Sequence, residues 1–349
     1  MSSNVGDAIL VLRRAAGITQ EELAARLNIT QATLSRYENN LRAPDDDALA
    51  ALAKVFGVTE RFLQHDFTLQ GAIAGDAHMR RQKTTKPSDW KRVESRLNAL
   101  RMHSNFLLER VPLRPRNFVI QVDPFEHTPQ EAATMLRASW RMPIGPVRGL
   151  YRWIESAGVV IVEEDFGTHR IDGMSQWAGD HAVIILNAGL PTDRKRLTAA
   201  HELGHLVMHS SYVDPDVEDQ ANAFAAEFLM PEPAIRPQLN SLSLGKLADL
   251  KREWGVSMQA IFERAYRLGK ATVEDRHKFY RQLNSRGWKT REPFSEDVPP
   301  EVPQLADAVA NKLKGSGLSR KEIIGLIGGD STPFSPAEDE PPRRHLSAV

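Results

Sequence analysis

The sequence predicts a mainly α N-terminal helix-turn-helix domain followed by an α+β domain with a small sheet and a helical C-terminal part. Three observations carry this expectation. Two short, capped helical segments joined by a tight turn occupy residues 19–38. A continuous apolar run, Val183-Ile184-Ile185-Leu186-Asn187, reads as a buried strand and precedes a turn and a helix. That helix contains His201-Glu202-Leu203-Gly204-His205, two imidazoles and a carboxylate within little more than one turn.

At the N-terminus, Ile9, Leu10 and Leu12 give residues 7–16 an amphipathic helix, ended by Gly17. Thr19-Gln20-Glu21-Glu22 is a capping box for a second helix, with Leu23 and Leu27 four apart. Asn28-Ile29 turns the chain, Thr30 caps a third helix through Glu38, and residues 45–55 make a fourth. The run Thr19 to Asn39, with Arg42 and Pro44 beyond it, resembles the Cro and lambda-repressor type of bacterial and phage regulator over residues 5–65. A generic four-helix bundle would not ask for Gln31, Ala32, Thr33 and Arg36 on the outer face of its third helix. In a major groove those residues read base edges, by amide and guanidinium hydrogen bonds and by methyl contacts to thymine. Gln20, Asn39 and Arg42 are the expected phosphate contacts. Asn40 stands where this type often has Gly, and Asn tolerates the left-handed backbone that the turn needs.

The whole chain has no net charge. Residues 1–66 hold seven Lys and Arg against nine Asp and Glu, so their non-specific affinity for DNA is expected to be weak. Residues 67–116 hold eleven basic against four acidic residues, including Arg80-Arg81-Gln82-Lys83 and a helical run from Ser88 to Arg110. The expectation there is a solvated linker helix; the functional alternative is phosphate contact or dimer support.

In the second domain, Pro191-Thr192-Asp193 supplies turn and N-cap chemistry for a helix beginning near Arg194. Positions four apart on that helix let His201 and His205 offer nitrogens to one zinc ion, with Glu202 beside the water. A catalytic zinc keeps three protein ligands and an open position. His209 cannot be the third ligand, because eight residues past His201 is roughly 12 Å along a straight helix. The next helix, Val217 to Met230, carries Glu218 and Glu227 on opposite faces. Ala221, Asn222, Ala225 and Leu229 surround Glu218 and permit a close helix approach; Asp216, Gln220 and Ala223 around Glu227 suggest a solvated face. Glu218 is therefore expected as third ligand, Asn222 as its supporting neighbour, and Glu227 as a surface charge.

The segments Arg194 to Leu206 and Glu218 to Pro231 resemble the ImmA/IrrE family of zinc metallo-endopeptidases. The likeness extends upstream to Gly158-Val159-Val160-Ile161-Val162 and Ile171-Asp172-Gly173-Met174-Ser175. Downstream it takes in Leu250-Lys251, Trp254-Gly255-Val256-Ser257-Met258 and Arg264-Ala265, and in all it covers roughly residues 130–292. The resemblance implies a zincin-like fold, His201, His205 and Glu218 as zinc ligands, and Glu202 as general base. Leu197, where Phe is common, departs from the family in packing alone. Zinc-bound water of pKa about 7 and a carboxylate that moves its proton would cleave a peptide bond. The oxyanion donor stays unassigned among His209, Tyr212 and Arg194, which are near in sequence.

The C-terminal segment predicts a helix near Leu305 to Leu313, a second opened by Ser319-Arg320-Lys321-Glu322, and a disordered polar tail from Ser331. Residues 246–268 faintly imitate another helix-turn-helix but fall within the family likeness. The expected organisation is residues 1–66, 67–116, 117–292 and 293–349 for the DNA-binding domain, linker, peptidase domain and C-terminal helices with tail. With no cysteine, disulfides and thiolate ligands are excluded. No signal peptide or membrane-length apolar run is read, so a cytoplasmic protein is expected. The expected partners are a double-stranded DNA operator, a protein substrate such as a repressor in a stress or phage response, and a second copy in a homodimer. Two alternatives stay open: a transcription factor whose peptidase-like domain is a non-proteolytic sensor, and a regulator that cleaves itself in its basic linker.

Overall fold

Five helices build the N-terminal part: α1 (Val5–Ala15), α2 (Gln20–Arg26), α3 (Gln31–Glu38), α4 (Asp46–Phe56) and α5 (Glu60–Leu63). The structure is a computed structural model that describes residues 5–67, 86–209, 216–289 and 291–336. The caps fall where the sequence places them. Thr19 Oγ1 accepts from Glu22 N and Glu22 Oε2 accepts from Thr19 N, at 3.1 and 2.8 Å. Thr30 and Asp45 cap α3 and α4. Asn40 has φ 55°, the left-handed backbone expected of it. Arg13 and Glu38 form a buried ion pair that locks α1 against the end of α3.

Helix α6 (Pro87–Leu108) corrects the expectation of a solvated linker. Met102 and Phe106 lie in the N-terminal core beside Phe62 and Leu63. Val93, Leu97 and Leu100 pack instead on the sheet of the second domain. Two of its basic side chains are held internally: Arg92 Nη2 donates to Phe166 O at 2.7 Å, and Arg96 Nη1 donates to Asp165 O at 2.6 Å. These two arginines are thereby structural, not phosphate contacts. The Arg80 to Lys83 run lies outside the described residues.

After α7 (Pro129–Ser139) and α8 (Leu150–Ser156) comes a three-stranded sheet of order β1-β3-β2, built from β1 (Val160–Glu164), β2 (Gly173–Ala178) and β3 (His181–Asn187). β3 pairs parallel with β1 and antiparallel with β2. Strand periodicity divides its side chains between two cores: Val183 and Ile185 face α6, Ile184 and Leu186 face the helical side. That helical layer comprises α9 (Thr192–Met208), α10 (Val217–Leu229), α11 (Glu232–Ile235), α12 (Leu244–Trp254), α13 (Met258–Arg267) and α14 (Val273–Ser285). The imitation helix-turn-helix is α12 and α13, with Leu247, Trp254 and Ile261 in this same core.

The chain past residue 292 closes the α+β part. Glu301 pairs with Arg196 of α9 and accepts from Tyr151 N at 2.7 Å. Helices α15 (Leu305–Lys314) and α16 (Arg320–Ile327) cover β1 and α6. Gly328 O then accepts from Thr59 N at 2.9 Å, and Gly57 O accepts from Asp330 N at 3.1 Å, pinning this segment to the N-terminal helices. The tail was expected to be disordered from Ser331, yet Phe334 is fully buried in the α6 core; burial of an aromatic ring outweighs the polar composition around it. Residues 337–349 lie outside the described residues. Among the described residues, no helix is long and apolar enough to cross a membrane.

Candidate functional site

Helix α9 starts at Thr192 with no side-chain cap, and Asp193, expected to help cap it, is buried against Lys251 Nζ at 2.7 Å. That pair fixes the near end of the helix. Farther along, α9 packs on α10 through Gly204: a Cβ there would stand 2.9 Å from Phe224 Cδ1. With Ala221 and Ala225 also fully buried, the helix axes approach closely, and Glu218 reaches the histidines.

The result is a tight cluster. His201 Nε2 and His205 Nε2 lie 3.0 Å apart, and the Glu218 carboxylate stands 3.7 Å from the first and 3.4 Å from the second. The three ligand atoms fit within 4.8 Å of one another. A tetrahedral ion with bonds of roughly 2.0–2.1 Å would set its ligands about 3.3 Å apart, so the spacing suits one small cation.

The hydrogen-bond network around the histidines favours the same ligand atoms. His201 Nδ1–H donates to Asn222 Oδ1 at 3.1 Å, so Asn222 supports His201 rather than Glu218. His209 Nε2–H donates to Gln220 Oε1 at 2.8 Å, which leaves His209 Nδ1 to accept from His205 Nδ1–H at 2.9 Å. In both ligand candidates the Nε2 lone pair is then left to face the other across 3.0 Å. Two facing lone pairs beside a carboxylate repel unless a cation sits among them. Both ring nitrogens of His209 are thus engaged in hydrogen bonds rather than turned to the cluster. Its role as orienter, together with Gln220, is invisible in sequence spacing because the Gln220 partner comes from another helix.

Glu202 is buried, and Ser175 Oγ on β2 donates to its Oε2 at 2.8 Å. Ser175 lies within the upstream segment that resembles the family, but a contact spanning 27 residues leaves no periodic trace of its role. Glu227 overturns expectation. It is 6% exposed, forms an ion pair with Arg264 of α13 and accepts from Glu232 N at 3.0 Å. The polar residues beside it on its own helix suggested solvent, but α13 supplies the cation that makes burial tolerable. Arg194 is bound to Asp172 by two hydrogen bonds of 2.7 and 2.8 Å, and Tyr212 lies outside the described residues. A cleft of about 890 Å³ lies over the cluster, lined by His201, Glu202, Glu218 and Asn222.

On the N-terminal part, Gln31, Ala32 and Arg36 are exposed along one face of α3, with Thr33 partly exposed. Gln20 donates to Glu38 Oε2 at 2.7 Å and accepts from Gln31 Nε2 at 3.4 Å, so the two glutamines are held side by side. Asn39 folds its amide back to Ser35 O at 2.7 Å, and Arg42 lies over the Tyr37 ring.

Comparison with known proteins separates the same two parts. Residues 9–63 match the helix-turn-helix family, and residues 154–266 match the IrrE N-terminal-like domain, a peptidase family. The radiation response metalloprotease IrrE of Deinococcus radiodurans is 34% identical over 74 residues, 17% of this chain and 23% of that protein. The HTH-type transcriptional regulator ImmR of Bacillus subtilis is 38% identical over 60 residues, 17% of this chain and 47% of that protein. The chain spans less than half the length of either curated relative. It joins an XRE-type helix-turn-helix domain to an IrrE/ImmA-like peptidase domain in an α+β, zincin-like fold.

Proposed function

We propose that this chain is a cytoplasmic, sequence-specific DNA-binding regulator carrying its own zinc-dependent endopeptidase, whose substrate is a repressor or similar regulatory protein in a stress or mobile-element response. The observation that carries the reading is the convergence of His201, His205 and Glu218 within 4.8 Å beside Glu202, at the floor of a cleft large enough for a polypeptide segment.

His201, His205 and Glu218 would hold the ion, with Asn222 fixing the tautomer of His201 and the His209–Gln220 pair fixing that of His205. Zinc held there would supply a bound water with its pKa lowered to about 7 and would polarise the scissile carbonyl. Glu202 takes the proton of the attacking water and returns it to the leaving amine. Ser175 holds one carboxylate oxygen, so the side chain keeps its aim into the cleft during the transfer. Burial of Glu202 excludes bulk water from that exchange.

On the DNA side, Gln31, Ala32, Thr33 and Arg36 enter the major groove, with Gln31 oriented by Gln20. Gln20, Asn39 and Arg42 flank the phosphates, and a homodimer would present two such helices to an operator. The test is to incubate the zinc-loaded full chain with the helix-turn-helix repressors of its own genome, and with itself. Cleavage abolished by a chelator and restored by zinc supports the reading; intact proteins throughout refute it.

A further inference from the structure

The cleft continues past the histidine and glutamate cluster. Arg264 and Arg267, one turn apart on α13 and so on one face, both line it. The same two side chains line an adjoining cavity of about 380 Å³, with Thr128, Gln130, Glu232 and Arg236. A polypeptide lying across the cleft would therefore meet an arginine-rich annex to one side of the reacting bond.

The charges in this annex leave room for one anion. Arg264 is 3% exposed and pairs through Nη2 with Glu227, while its Nε is buried with no hydrogen-bond partner. A buried guanidinium N–H without an acceptor is costly, so the position favours an incoming one. Arg236 is bound to Glu232 at 2.7 Å. Arg267 is exposed and makes no ion pair among the described residues. Three guanidinium groups face two carboxylates, and Arg137, within electrostatic reach of Glu227, adds to the positive side. The pairing of Arg264 with Glu227 also fixes the fork of donors in place, which suits a planar, bidentate acceptor.

We propose that this annex binds a side-chain carboxylate of the polypeptide held in the cleft, so that an Asp or Glu at a fixed distance from the scissile bond sets the sequence preference. The proposal rests on the proteolytic reading for its substrate, and its test keeps the two apart. The zinc-loaded full chain carrying Glu202→Gln is mixed with randomised short peptides, in one pool amidated and in a second free at the C-terminus. Bound peptides are recovered and read by mass spectrometry. Enrichment of Asp or Glu on the order of tenfold in both pools is expected, the yield of one charge-assisted contact. With Arg267→Glu added, the enrichment should vanish or turn to Lys and Arg. Thermal melting of both variants shows whether each is folded, and Arg267 is exposed, so its reversal leaves the core alone.

No acidic enrichment, or enrichment untouched by Arg267→Glu, overturns the proposal. Enrichment confined to the free-ended pool overturns it also, because the ligand is then a chain terminus. The unsubstituted zinc-loaded chain is given the same pools in parallel. If it cuts nothing while the Glu202→Gln protein still selects acidic peptides, the annex stands and the proteolytic reading fails.

Discussion

His209 Nδ1 lies 2.9 Å from His205 Nδ1, and Gln220 Oε1 lies 2.8 Å from the other nitrogen of the His209 ring. The chain of contacts leaves His205 one tautomer, with its Nε2 lone pair turned to the cluster. Replacing His209 by Leu should lower zinc affinity about 10- to 100-fold, the usual loss when such a partner of a metal ligand is removed. Asn places an acceptor oxygen near the former Nδ1, so His209→Asn should recover much of the affinity. Competition with a chromogenic chelator measures both; equal loss in the two variants would mean that His209 only fills space.

A second consequence follows from Gly204. Ala is the better helix former by about 1 kcal/mol, but its Cβ would meet the Phe224 ring at 2.9 Å. Overpacking of this kind costs about 1–3 kcal/mol, so the clash should win. Gly204→Ala is expected to lower the midpoint of thermal unfolding and to weaken zinc binding as α10 is pushed outward. Unaltered zinc affinity would show that Glu218 does not depend on this approach.

Acid should loosen the junction between the two parts. His103 on α6 is buried, stacks on Phe62 with ring centroids 4.2 Å apart, and contacts Ile327 O at 3.2 Å. Burial pushes its pKa from 6.5 down to about 4. The unfolded chain therefore binds a proton that the folded chain refuses between these values. Stability from this group is complete above pH 6.5 and falls as pH drops towards 4, by up to about 3 kcal/mol. Urea unfolding at several pH values should show a shallower acid slope for His103→Gln than for the unsubstituted chain.

On DNA, Gln31→Ala and Arg36→Ala should each weaken binding to a specific operator by about 1–3 kcal/mol, whereas Arg42→Ala should weaken binding to all sequences alike. The shift assay belongs on the full chain, because Met102 and Phe106 of α6 complete the core of the N-terminal helices. An unchanged sequence preference in both base-contact variants would remove α3 from the groove.

Local chemistry explains which features the sequence revealed. Caps at Thr19, Thr30 and Asp45 act within four residues, and the His201 and His205 spacing follows from one helix turn. The approach of Glu218 to the two histidines was legible because small neighbours announce a close helix contact. Glu227 was misread for the converse reason: its partner Arg264 lies 37 residues away, and polarity on its own helix could not reveal it. Helix α6 misled in a similar way. It is buried against two different cores, so its apolar residues form no single stripe, and its arginines reach carbonyls some 70 residues distant. Ser175 and Gln220 act across elements and needed the fold before they could be seen.

The most direct measurement compares the unsubstituted chain with Glu202→Gln. Gln keeps the volume and can still hydrogen-bond water but cannot accept its proton at neutral pH. In cells under inducing conditions, the partner repressor is followed by immunoblot while zinc content and operator binding are measured on the purified proteins. The expected result is retained zinc and operator binding, with a repressor that stays intact and a response that never switches on. A Glu202→Gln strain that responds normally, with the repressor intact in both strains, would contradict proteolysis and leave a zinc- or ligand-sensing transcription factor.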